Sequence, residues 1–366
     1  MEIRQISDLH DFENLRKPWN KLLPQNPVQD VFYTWEWLFA WWKHYGKQRE
    51  LWLVTAWIGD ELVGVAPLML ETRRKYGLRV RVLCNLGTPN IDIGGFLVQD
   101  GDQRISAEIG NYLIEQKAHW DLLELNEFLL DSPETKQLVA LFTNSGFIHT
   151  PKDNRHLYLP VHGDWQNYWH QLSMNLRDDI RKKKRRLNKS QGELIYKHHT
   201  GQEVTWQDFL AIFEINEQGR FPNLYRSAEE RAFQRELFEA MTDRGWLDIH
   251  LLYIGVLPVA YLYGFRYKNR YENWRTGFNS LYSNFSVGKI LHQMVIEDCF
   301  KRACSEIDFL CGDEQYKTSW QTLERTYTQL RFVPRNRLAS LAAYIWPPRL
   351  KALLNARATR KQITEN

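Results

Sequence analysis

The chain has 366 residues, 43% hydrophobic and 25% charged, with a formal net charge of +4. That length suits two domains, each with ample apolar material for a core. No apolar run is long enough to span a bilayer, Met1 to His10 carry no apolar signal core, and Cys84, Cys299, Cys304 and Cys311 form no C-x-x-C pair, which sets aside membrane-spanning, secreted and zinc-finger classes and leaves a cytoplasmic protein with reduced thiols.

Met1 to Ile6 reads as a short strand. Helices are expected over 11–23 and 34–45, the second opened by Thr34 as N-cap ahead of Trp35, Trp37, Trp41 and Trp42. Strands over 51–57 and 62–70 flank the turn Gly59-Asp60, a hairpin signal. Short strands follow over 80–86 and 91–98, then a helix over 105–116, a strand over 122–125, a helix over 134–143 and an edge-like strand over 155–160.

The second half opens on one basic helical stretch over 165–190, followed by a strand over 194–198 and helices over 205–218 and 228–242. A hairpin over 248–253 and 259–267 turns at 255–258, and a strand covers 270–277. A helix over 286–303, a strand over 307–310, a short helix over 314–321 and a last strand over 326–333 complete it. Beyond Arg331 the chain is basic and interleaved with apolar residues, and Pro347-Pro348 divide it into two short amphipathic pieces. Such a tail suits peripheral contact with an anionic membrane, or packs its apolar side on the protein and leaves its charges to water.

Both halves follow one order: strand, two helices, hairpin, strand, helix, strand, helix, strand, with almost no residue identity between them. The expected fold class is therefore α/β (α+β), two mixed twisted sheets flanked by helices, with halves at 1–160 and 161–335 and a tail at 336–366.

Two stretches carry candidate chemistry. Ser286, Val287, Gly288, Lys289 and Ile290 open a helix with small residues, where free backbone N–H groups and the positive dipole end suit a pyrophosphate; an ordinary capped helix is the alternative. After the strand over 307–310, an acidic turn broken by Gly312 precedes Tyr316 and Lys317. Asp308 or Asp313 suits a base for an acceptor amine or hydroxyl, Tyr316 a proton donor to a leaving thiolate, and Lys317 a partner for developing carbonyl charge. A polar helix cap with a surface Tyr-Lys pair explains the same residues. Arg177, Arg181, Lys184 and Arg185 share a helix face, fit for a phosphorylated acceptor, a nucleic acid backbone or water.

Four patches resemble the CelD/BcsL-type GNAT acyltransferases, relatives of the FemAB-type peptidyltransferases: 31–37, 59–68, 173–187, and 286–289 with 308–312 and 316–317. The resemblance spans roughly Trp19 to Phe332 and implies two tandem GNAT-like folds, an acyl donor near 286–290, and a first half that shapes the acceptor side. One departure is that only Gly288 stands for the glycines of the family's usual Q/R-x-x-G-x-G/A loop. It implies transfer of an acyl group from acyl-CoA, a co-substrate and not a permanent cofactor, to an amine or hydroxyl of a small molecule or glycan precursor, in envelope or exopolysaccharide assembly. Trp35, Asp92, Arg177, Arg181, Trp274 and Arg275 are the candidate acceptor-side residues, and no metal is expected. The alternatives are an aminoacyl-tRNA-dependent transferase, with the basic helix on RNA, and a non-catalytic binding protein of an envelope-assembly complex.

Overall fold

A computed structural model describes residues 1–28 and 30–345. Of the tail expected over 336–366, residues 336–345 are described, with Leu341, Ala343, Tyr344 and Ile345 buried; Trp346 onward, with Pro347 and Pro348, lies outside the described residues.

Local chemistry sets the first helices. The single helix expected over 11–23 is two, α1 (Leu9–Asn14) and α2 (Arg16–Leu22). Pro18 has no N–H to give to the carbonyl of residue 14, so the helix restarts with Pro18 in its first turn. In α3 (Trp35–Tyr45), Thr34 caps as expected, its Oγ1 accepting from the Trp37 N–H at 3.3 Å.

The described chain forms two compact units. One comprises residues 1–28, 46–154 and 327–345. Its strands are β1 (Glu2–Ile6), β2 (Glu50–Ile58), β3 (Glu61–Lys75), β4 (Leu78–Asn85), the two-residue β5 (Leu97–Val98), β6 (Leu122–Leu129) and β7 (Phe147–His149). They order as β1-β2-β3-β4-β6, with residues 327–334 of the chain's last strand antiparallel to β6. Pairing is antiparallel except between β4 and β6, which run parallel, so the sheet is mixed. The hairpin turns where expected, with Gly59 at φ +59°. The strand expected over 91–98 shrinks to Leu97–Val98 because 91–96 presses on β6: a Cβ on Gly94 would lie 2.1 Å from the Asn126 carbonyl oxygen. α4 (Gln103–Glu115) and α5 (Pro133–Asn144), capped by Asp102 and Ser132, cover a core that includes Val54, Leu68, Leu123, Phe142 and Phe332.

The other unit takes residues 30–45 and 155–326. The segment 30–45 belongs here because α3 lays Trp37 edge-on to Phe233 at 5.9 Å and to Trp274 at 6.1 Å. The basic helix expected over 165–190 is two, α6 (Trp165–Gln171) and α7 (Met174–Ser190). Leu172 is extended and buried, and the Ser173 hydroxyl starts a new helix by accepting from the Leu176 N–H at 3.3 Å. Next come α8 (Trp206–Glu217) and α9 (Ala228–Asp243), then α10 (Val287–Lys301) and α11 (Gln315–Thr318). The strands are β8 (Lys152–Pro160, paired in this unit from His156), β9 (Leu194–Thr200), β10 (Leu247–Ile254), β11 (Leu257–Tyr267), β12 (Arg270–Phe278) and β13 (Glu306–Cys311), ordered β9-β10-β11-β12-β13-β8. Again all neighbours are antiparallel except one pair, β12 with β13. Leu262, Tyr271, Leu291, Val295 and Ile307 lie in its core. Each unit thus has a run of antiparallel strands containing a hairpin, then one parallel pair, then a further antiparallel strand, a repeated order.

Candidate functional site

The parallel pair positions the site. β12 and β13 pair at Arg270–Glu306, Tyr271–Ile307 and Glu272–Asp308, and among the described residues no pairing between them follows. β12 runs on to Phe278, while β13 shifts register after Asp308. A cleft of about 360 Å³ is lined by Thr276, Gly277 and Phe278 from the far end of β12 and by Glu314, Tyr316 and Trp320 from the segment after β13. Its remaining wall comes from Asn216 near the end of α8, from Gly219, Arg220 and Phe221 just after it, and from Gly288, Lys289 and His292 on α10. Phe221 is 64% exposed and Phe278 39%, so the mouth presents aromatic surface to water.

The start of α10 differs in detail from expectation. Ser286 takes a left-handed conformation, φ 52° and ψ 43°, at the end of the turn Ser280–Phe285, and its hydroxyl makes no capping bond. The first-turn N–H groups of Val287, Gly288 and Lys289 have no acceptor inside an α-helix. Val287 and Ile290 are core residues, so of the five candidates Gly288 and Lys289 reach the cleft. The Lys289 ammonium pairs with Asp179 of α7 at 2.9 Å, and Lys183 donates to the Asn284 carbonyl at 2.6 Å, so α7 is tied to this loop by its charges.

His292 lies one turn into α10, with Nδ1 2.8 Å from the Gly288 carbonyl oxygen. A carbonyl only accepts, so Nδ1 carries the hydrogen and Nε2 the lone pair. Nε2 is buried without a hydrogen-bond partner. Burial pushes the imidazole pKa down to about 4, so the ring is neutral at pH 7. The ring stacks toward Phe309 at 6.2 Å and sits 4.9 Å from the Tyr316 ring. Burial also raises the Tyr316 phenol, which keeps its proton. Lys317 is 3% exposed, and its ammonium donates to the Cys311 carbonyl at 2.6 Å and pairs with Glu314 at 3.0 Å, so it holds the turn that carries Tyr316.

The remaining candidates lie apart from this wall. Asp308 is buried on β13, accepts from the Leu310 N–H at 2.8 Å and faces Arg325 at 3.5 Å; burial raises its pKa. Asp313 is half exposed and paired with Arg155. Trp274 packs among Phe32, Trp37, Tyr263 and Phe265, and Arg275 covers its ring at 4.2 Å while bonding Glu230 at 2.7 Å. Trp35 stacks on Phe39 at 4.2 Å. Arg181 is half exposed and lies 3.4 Å from Asp178, whereas the Nε of Arg177 is buried without a hydrogen-bond partner. Asp92, half-buried, belongs to the other unit. His198, Asp248 and His250 bring three ligand-type atoms within 4.8 Å of one another. Arg302 lies 3.0 Å from the second Asp248 oxygen, Tyr196 bonds His250 Nδ1 at 2.8 Å, and His250 Nε2 lies 2.8 Å from Asp248, so these groups engage one another.

Sequence reasoning missed His292, Arg220, Phe221 and Phe278. His292 lies one turn beyond Gly288, and that i, i+4 spacing from the loop was the available signal.

Residues 174–318 match the acetyltransferase (GNAT) domain. No curated protein matches the sequence. Among solved structures, FemX is similar at 9% identity over 90% of this chain and 97% of its own, with a TM-score of 0.57. The C-terminal domain of a putative lysylphosphatidylglycerol synthetase from Agrobacterium fabrum matches at 8% identity over 90% and 95%, TM-score 0.51. A conserved protein of unknown function from Bacteroides thetaiotaomicron matches at 13% identity over 91% and 99%, TM-score 0.51. With the mixed sheets and flanking helices, these likenesses show a mixed α/β fold, with the acetyltransferase-domain match spanning 174–318.

Proposed function

We propose that the chain transfers an acyl group from an acyl-CoA-type thioester to an amine or hydroxyl acceptor in the cleft beside β12 and α10. The observation that carries this is the parting of the parallel pair after Glu272 and Asp308, with a cleft lined by Gly288 and Lys289 of the helix start. Backbone N–H groups of β12 between Glu272 and Gly277 polarise the thioester carbonyl. The donor's pyrophosphate takes the first-turn N–H groups of α10. Tyr316, protonated and at the wall, returns a proton to the leaving thiolate. Lys317 positions Tyr316 through the turn it ties.

The acceptor we assign is an envelope or exopolysaccharide precursor, and the likeness of the patches to CelD/BcsL-type proteins supports that class. An aminoacyl-tRNA donor is the second reading, in which the basic residues of α7 would grip the RNA backbone. A cytoplasmic enzyme resting on the membrane through its basic tail fits the first acceptor class. Among the described residues no helix is long and apolar enough to cross a membrane. Calorimetry with acetyl-CoA, longer acyl-CoAs and aminoacyl-tRNA tests the reading. Binding of an acyl-CoA, with thiol release, is the expected result; binding of the tRNA alone selects the second reading.

A further inference from the structure

The transfer reaction needs a place for the proton that the nucleophile loses. Asp308 has one oxygen engaged by the Leu310 N–H and its other, without a hydrogen bond, 3.5 Å from Arg325, and Asp313 is paired with Arg155 at the surface. Neither lines the cleft. His292 does line it, is 4% exposed, and presents a ring whose Nδ1 is committed to the Gly288 carbonyl and whose Nε2 is unanswered. A buried acceptor without a partner is destabilising by roughly 1–3 kcal/mol, and a ligand that donates to it removes that cost.

We propose that His292 is a catalytic residue whose Nε2 accepts the hydrogen of the attacking amine or hydroxyl. The inference rests on the acyl-transfer reading above. The nucleophile's lone pair forms the bond to the carbonyl carbon while its hydrogen passes to Nε2. The carbon–sulfur bond then breaks, its electron pair staying on sulfur. The imidazolium gives the proton to the thiolate, directly or through the Tyr316 hydroxyl, and ends neutral. Nothing is oxidised or reduced, and no further reactant is needed.

The surroundings suit a transient proton. Gly288 fixes the tautomer from the preceding turn of α10, and Phe309 of β13 lies nearly parallel to the ring, with an interplanar angle of 22°. The titratable groups that act on it are Lys317 of α11 and His250 of β10, and Lys289 of its own helix and Glu314 line the same cleft. Burial, Lys317 and His250 all oppose charge on the ring, so the proton is held briefly and passed on. The bound donor's anionic phosphates act the other way.

Thiol release from acetyl-CoA, with hydroxylamine as a small stand-in nucleophile, tests the assignment. His292→Asn keeps a donor toward Gly288 and removes the basic nitrogen. The expected result is acetyl-CoA affinity within about twofold of wild type and thiol release reduced by roughly 10²–10⁴-fold, the usual size of a general-base contribution, with partial recovery on adding free imidazole. Nitrogen-15 NMR of the unmodified protein should show His292 neutral with hydrogen on Nδ1 at pH 7. If His292→Asn binds acetyl-CoA and releases thiol at the wild-type rate, the base assignment is overturned while the acyl-transfer reading stands. If rate and affinity fall together, the residue shapes the donor site and the assignment is again overturned. Wild-type protein that binds no acyl-CoA overturns both. Should the Asn variant not fold, His292→Gln replaces it, and an imidazole found protonated or carrying hydrogen on Nε2 at pH 7 overturns the proposal without any variant.

Discussion

Arg270 and Glu272 stand two residues apart on one face of β12, and the guanidinium lies 2.6 Å from that fully buried carboxylate. The same guanidinium contacts the buried carboxylate of Asp30. Burial raises the pKa of Glu272, with Asp30 adding to the rise and Arg270 opposing it. Arg270→Ala therefore leaves two buried acids facing each other. Loss of one partner from such a cluster typically costs about 3–5 kcal/mol. The sign with pH follows from the raised carboxyl: the folded variant holds a proton that the unfolded chain releases above its ordinary value near 4.5. Stability of the variant should thus fall as pH rises from about 5 to 8, measured as urea midpoints. A deficit that does not change over that range would show that the acids are not the cause.

Gly288→Glu tests the donor site. A Cβ at 288 would sit 3.3 Å from the Phe278 ring, and the carboxylate beyond it would occupy the space proposed for the pyrophosphate. An acidic residue in the first turn of a helix is otherwise mildly stabilising, so the fold should survive. We expect acetyl-CoA affinity to drop more than tenfold by calorimetry with the melting temperature nearly unchanged. Undiminished affinity would place the donor elsewhere.

The fold was largely legible because its signals are local. Thr34 caps α3, and Gly59 and Gly255 take positive φ at the two hairpin turns. Where the sequence misleads, packing outweighs pattern: residues 91–96 read as a strand but lie against β6, and Pro18 and Leu172 break helices that look continuous. The site was half legible. Gly288, Lys289 and Tyr316 declare themselves by chain position at a helix start and a strand end. Asp308 has the right residue type, but its side chain is engaged by Leu310 and Arg325, and side-chain direction is invisible to spacing. His292 escaped because its significance lies in a tautomer fixed by one carbonyl and a nitrogen left without a partner.

The two arginines of α7 should behave differently. Arg181 is half exposed and lies 3.4 Å from Asp178, a geometry that contributes little in water. Arg177 keeps a buried, partnerless Nε. Arg177→Gln should raise the KM for a phosphorylated acceptor by roughly tenfold or more, the scale of a charge-assisted hydrogen bond, and Arg181→Gln by less than about twofold. Donor affinity should be unchanged in both. Equal effects of the two substitutions, or none, would return this helix face to solvent.

The last expectation concerns acid. Burial holds His292 at about 4, down from an ordinary 6.5. Between these values the unfolded chain binds a proton that the folded protein refuses. Stability is then fully present above about pH 6.5 and is lost as pH falls toward 4, by at most ~3 kcal/mol from this one residue. His149 is also pushed down by burial and adds a slope of the same sign, so the wild-type curve alone is not diagnostic. The difference between wild type and His292→Asn isolates the term, because asparagine does not titrate and keeps the bond to Gly288. Urea midpoints taken every half unit from pH 4 to 8 should show the two proteins converging as pH falls, with the variant's slope the shallower. Saturating acetyl-CoA should shrink the difference, since donor phosphates make a proton on the ring less costly. Parallel curves for the two proteins would mean that the imidazole is open to water, and that Nε2 already has a partner in solution.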